Sequence, residues 1–194
     1  MPYTLAAPCQ YQEDIRKSRF LALAAPVASA EEAQAFIAAH SEPAATHNCW
    51  AWKVGAQYRF NDDGEPGGTA GRPILAAIEG QECDQVAVLV IRWYGGIQLG
   101  TGGLARAYGG SAAKCLQAGE RLELVPRIAL SCRCGFAELA LVRQRLAEAD
   151  GVIETEQFLA DGVELQFALP AQQLESVQRQ LADLSRGRIH IQRR

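Results

Sequence analysis

Most residues that could do chemistry in this sequence lie between positions 47 and 106. Asp62, Asp63 and Glu65 stand within four positions of one another in NDDGEPGGTAGRPI (61–74), with Gly68, Thr69 and Arg72 close behind. Three carboxylates at this spacing could hold Mg²⁺, a hard cation that takes carboxylate and phosphate oxygens together. The same run also reads as a turn with solvated charge. His47 opens HNCWAW (47–52) and could serve as acid or base, or as a hydrogen-bonded structural residue. Arg92 and Arg106 bracket RWYGGIQLGTGGLAR, which carries Gly95, Gly96, Gly100, Gly102 and Gly103. Glycine loops that open helices leave outward N–H groups, and arginines beside them can pair with phosphate oxygens. No Ser or Cys nucleophile with an identifiable base accompanies these residues.

The elements that must position these groups follow from periodicity. Twelve of the 18 glycines fall within residues 61–114. Between the first two glycine clusters runs VAVLVI (86–91), a continuous apolar segment that predicts a buried strand reaching Tyr94. It feeds a loop that opens a helix near Gly103, ending at Gly119. A second helix is expected after Thr69, with Pro73 in its first turn and an end near Gly80. Asn48–Val54 and Gln57–Phe60 predict a hairpin about Gly55-Ala56.

Upstream, residues 1–12 read as a loose arm or an edge strand. Phe20, Leu21 and Leu23 predict the first strand, preceded by the basic cluster Arg16, Lys17 and Arg19. Ser29 and Glu32 have capping-box spacing for a helix that ends at Glu42-Pro43. After Val125-Pro126 the pattern resets. RIALSCRC, VIETEQFL, VELQFAL and RIHIQ read as strands, and two amphipathic helices interleave with them. Asp161-Gly162 marks a hairpin. The order β-α-β-β-α-β is ferredoxin-like. The expected fold is therefore α+β, with domains at 1–125 and 126–194.

In that second domain the last strand should pair with the first. Alternation then places Arg127, Arg133, Arg188, His190 and Arg194 on one open sheet face, a candidate nucleic-acid surface that tracks phosphates. The domain carries nine arginines and nine acidic residues, so such a face would be polarised rather than uniformly basic. It has no stacked aromatics, which argues against reading of individual bases.

Composition narrows the classes. The chain has 194 residues, 48% hydrophobic and 21% charged, with a net charge of −3. That argues against disorder and against bulk electrostatic binding to nucleic acid, though not against a local basic patch. No apolar run reaches membrane length and no signal peptide is evident, so a soluble, cytoplasmic protein is expected. The six cysteines lack a CxxC pair and are expected to be reduced thiols.

KSRF (17–20), HNCWAW, NDDGEPGGTAGRPI and VIRWYGGIQLGTGGLARAY (90–108) together resemble the YigZ/IMPACT family, over about residues 13–118. The full length resembles its bacterial, YigZ-like branch. The resemblance implies a first domain with the fold of the second domain of ribosomal protein S5. It implies a second domain like the ferredoxin-type modules of elongation factor G. It also implies a loose link to translation, since eukaryotic members regulate it. Two functions fit. The first is a non-enzymatic, translation-associated regulator that binds RNA or the ribosome through the glycine loops and the arginine face. The second is an enzyme acting on a phosphorylated or nucleotide ligand, with Mg²⁺ as the only cofactor the residues suggest. An adaptor for a translation-associated protein is a third.

Overall fold

The computed structural model describes all 194 residues. They form two compact units, Met1–Leu124 and Val125–Arg194. In the first unit the elements are β1 (Tyr3–Leu5), β2 (Cys9–Ile15), β3 (Ser18–Pro26), α1 (Ala30–His40), β4 (His47–Val54), β5 (Gln57–Asn61), α2 (Gly71–Gly80), β6 (Val86–Trp93), α3 (Gly100–Ala118) and β7 (Arg121–Glu123). The second holds β8 (Arg127–Cys134), α4 (Leu139–Glu148), β9 (Val152–Leu159), β10 (Gly162–Pro170), α5 (Leu174–Ser185) and β11 (Gln192–Arg193). This is a two-domain α+β architecture.

The first unit is built on an antiparallel five-stranded sheet ordered β2-β3-β6-β4-β5. β6 lies at its centre, which explains its unbroken apolar run: a strand covered on both faces has no solvent side to make polar. Val86, Val88 and Val90 face the core shared with α2 and α3, whereas Ala87 joins the smaller core under α1. The chain start is strand rather than a loose arm, because β1 pairs with β7 and β2 with β3. Ser29 caps α1 by accepting from the Glu32 N–H at 3.2 Å, and the Glu32 carboxylate accepts from Ala28 N at 2.7 Å.

The second unit has the sheet order β11-β8-β10-β9, with β8 antiparallel to both its neighbours. Leu130, Cys132 and Cys134 of β8 and Val163, Leu165 and Phe167 of β10 pack against α4 and α5. The final strand is shorter than RIHIQ suggests. Only Gln192 and Arg193 pair with β8, while Ile189 is buried in the core just ahead of them.

Candidate functional site

Strand alternation that buries Val86, Val88 and Val90 carries Arg92 onto the same face, where it is 4% exposed. A guanidinium there needs a partner, since an unpaired buried charge is severely destabilising. Its partner is Glu65, 8% exposed, whose Oε1 accepts from Arg92 Nη1 at 2.6 Å and from the Tyr108 hydroxyl at 2.7 Å. The Arg92 Nε and Nη2 turn to the buried Ser18 hydroxyl at 3.4 and 3.3 Å. Register sets His47 opposite Arg92 and Phe20 on its other side, with Phe20 edge-on to Tyr108 at 5.3 Å. Burial holds the Tyr108 hydroxyl protonated far above the ordinary phenol range, which keeps it a donor to Glu65.

His47 Nδ1 lies 2.7 Å from the Asp63 carbonyl oxygen. A carbonyl only accepts, so Nδ1 carries the hydrogen and Nε2 is the nitrogen turned to Glu65 Oε1, 3.6 Å away. Of these residues His47, Glu65 and Arg92 line a cavity of about 420 Å³. Tyr94, Gln98 and Leu99 from the loop ahead of α3 line it, as do Gly100, Thr101 and Leu104 of the helix itself. The loop is held at its root. Tyr94 N donates to Thr46 Oγ1 at 2.9 Å, and Gly95 packs so closely that a Cβ there would lie 2.0 Å from the Lys17 carbonyl oxygen. Gly96 and Gly100 adopt φ of 87° and 73°, values that suit glycine.

The carboxylate run does not converge on a point. Asp62 accepts backbone N–H bonds from Gly68 and Gly71, each at 2.8 Å, and from Ala70 at 3.0 Å. Burial raises its pKa, but these three donors outweigh it and hold the carboxyl below its ordinary value. The start of α2, expected to be open to an outside anion, is thus filled by the chain's own carboxylate. Asp63 accepts from Asn48 N at 2.6 Å, and Glu65 is committed to Arg92. No cluster of three His, Cys, Asp or Glu side chains is arranged to take a metal ion, so these residues do not fit Mg²⁺ as a set. Thr69 is buried and donates to the Pro66 carbonyl at 2.5 Å. All six cysteines are free thiols, and burial pushes Cys49 and Cys132 up to about 12.

Of the residues singled out in the sequence, His47, Glu65, Arg92 and Gly100 come together at this cavity. Gly103 and Arg106 border a second hollow of about 410 Å³, together with Arg16, Glu13 and Lys114. Gly102 packs against Arg106, and Arg72 is exposed on α2 apart from both hollows. Tyr108 and Ser18 were missed. The signal for Tyr108 was its place four residues after Leu104 on the buried side of α3, since a buried tyrosine hydroxyl calls for a partner. Ser18 offered none.

In the second unit Arg133, Arg188 and His190 border one hollow of about 310 Å³ on the sheet, which Arg127 and Arg194 do not line. Each of the four arginines is held by a carboxylate: Arg127 by Asp150 at 2.7 Å, Arg133 by Asp161, Arg188 by Glu138 and Arg194 by Glu154. The expected arginine face is therefore a set of ion pairs, with His190 exposed among them.

Comparison with known proteins follows the same division. Residues 16–116 match the Impact N-terminal domain, and residues 132–188 match a domain of unknown function, DUF1949. The chain is 46% identical over 183 residues to an IMPACT family member in pol 5'region of Thermus thermophilus, covering 92% of this chain and 99% of the relative. It is 38% identical over 193 residues to IMPACT family member YigZ of Escherichia coli (strain K12), covering 96% and 94%. A crystal structure of an hypothetical protein matches with a TM-score of 0.75 and 38% identity, over 99% of this chain and 96% of that one. No helix is long and apolar enough to cross a membrane. The chain belongs to the IMPACT family.

Proposed function

We propose that this protein is a translation-associated, non-enzymatic binding protein that holds RNA phosphates, free or on the ribosome, through its first unit. Family membership supports the translational setting. The observation that carries the binding mode is the turn between β2 and β3. Ile15 pairs with Ser18, so Arg16 and Lys17 form a two-residue loop, and both have positive φ, 45° and 66°. Such turns favour Asn-Gly. Two long basic side chains at these positions hold backbone strain, a feature that collects at functional sites. Neither has a carboxylate partner, whereas nearby Lys114 is paired with Glu13 at 2.7 Å. Arg16 shares its hollow with Arg106, which is likewise unpaired, and Arg72 adds a further free cation on α2.

The test is binding of the full chain to ribosomes and to short single-stranded RNA across a salt series. Affinity should fall steeply with salt. Arg16→Glu with Arg106→Glu should weaken it for every sequence, and should flatten the salt slope by about one for each phosphate no longer neutralised. Arg133→Glu with Arg188→Glu should leave it nearly unchanged. Absence of binding at low salt, or equal losses from the two pairs of variants, overturns the reading.

A further inference from the structure

The cavity of about 420 Å³ above Glu65 is not accounted for by phosphate binding at the β2–β3 turn. Its volume lies in the range of small-molecule sites, about 300–1,000 Å³. We propose that it binds a small amino acid zwitterion, with the ligand's ammonium on Glu65 and His47 and its carboxylate at the start of α3.

The ammonium end follows from a carboxylate oxygen that no protein donor reaches. Glu65 is 8% exposed and lines the cavity, and its Oε1 is saturated by Arg92 and Tyr108. Its Oε2 receives no hydrogen bond from the protein, yet it is not among the sealed, partnerless buried atoms. It is therefore not fully sealed, on a residue that lines the cavity. None of the neighbouring side chains donates to it: Arg92 Nε and Nη2 donate to Ser18 and Nη1 to Oε1, the Tyr108 hydroxyl donates to Oε1, and His47 Nδ1 faces the Asp63 carbonyl. In the neutral ring His47 Nε2 is an acceptor, and it lies 3.6 Å from the same carboxylate. A carboxylate oxygen without a protein donor, with a ring nitrogen beside the same carboxylate, suits a ligand with several donors on one atom, and an ammonium has three.

The anion end follows from the helix. α3 is 19 residues long, begins at the cavity with Gly100 and Thr101, and has Leu99 at its N-cap with no side-chain hydrogen bond. Its first-turn N–H groups lack a side-chain partner, and its dipole favours negative charge there. Pro66, Leu99 and Leu104 give the cavity an apolar wall, and half-exposed Tyr94 stands at its border, room for a ligand side chain.

The experiment is calorimetry and thermal shift on the full chain with the standard L-amino acids, each beside its N-acetyl and its carboxamide form. At least one free amino acid should bind, and blocking either end should weaken it by about tenfold or more. Glu65→Gln should cause a comparable loss. Because that change disturbs a buried ion pair, Thr101→Asp is the second variant. Its added charge suits a helix start, so folding is retained, but it repels a carboxylate and should lower affinity by about tenfold. No binding at about 10 mM of any amino acid overturns the proposal, as does binding indifferent to both blocking groups and to Thr101→Asp. Neither variant touches Arg16 or Arg106, so failure here leaves the RNA reading standing.

Discussion

The arginines singled out in the sequence are used differently in the two units. In the second, Arg127, Arg133, Arg188 and Arg194 lie at the surface, each with a carboxylate partner, and Arg186 and Arg193 are exposed without one. In the first, Arg92 is buried against Glu65, while Arg16, Arg72 and Arg106 stand exposed without one. The count of basic residues along the chain hides this contrast. A paired surface arginine contributes little field and little stability, a buried one organises its surroundings, and only the unpaired exposed ones remain to recruit an anion.

The strongest test of that contrast is to remove one partner from each kind of pair. Arg92→Ala or Glu65→Ala should cost about 3–5 kcal/mol, because the remaining charge is left buried and alone. Arg194→Ala should cost about 0–1 kcal/mol, the usual range for an exposed pair. Urea denaturation of the three variants decides it, and similar losses would erase the distinction between the units.

Asp62 comes next. Asp62→Ala removes the acceptor for three backbone N–H groups at the start of α2 and should cost about 1–2 kcal/mol. Its pH dependence has a fixed sign. Because the folded carboxyl sits below its ordinary value, its contribution is complete above about pH 4 and is lost as acid protonates it below that. The difference in stability between wild type and variant should therefore shrink below about pH 4. A difference that grows in acid would contradict the assigned hydrogen bonds.

The β2–β3 turn gives the smallest effect on stability and the sharpest on function. Arg16→Asn with Lys17→Gly replaces two strained residues by those the turn prefers, and should stabilise the chain by about 1–2 kcal/mol. The same variant should bind RNA more weakly. A rise in melting temperature with unchanged RNA affinity would remove these residues from the proposed surface.

Much of this architecture was legible before folding was considered. The continuous apolar run at 86–91 could only be a strand covered on both faces, and the Ser29–Glu32 spacing encoded a helix start by local hydrogen bonding. Arg92, expected beside the glycine loop to meet phosphate, instead continues the buried alternation of Val86, Val88 and Val90. The β2–β3 turn was not legible, because Arg16-Lys17 carries none of the residues that lower the cost of positive φ.

Local rules reach a few residues along the chain, so the sequence by itself determined most of the element types, the α+β class, the β-α-β-β-α-β order and the family resemblance. Partner choice for charged groups lies beyond that reach. Glu65 meets Arg92 27 positions away and Tyr108 43 away. Asp62, adjacent to Asp63 in the chain, turns instead to the amides that start α2. Electrostatic energy depends on distance and on the surrounding dielectric, and neither is set until the sheet closes. Tertiary structure alone therefore decided which carboxylates hold the fold together, which cations are left free, and that one oxygen of Glu65, a residue lining a cavity, has no protein donor.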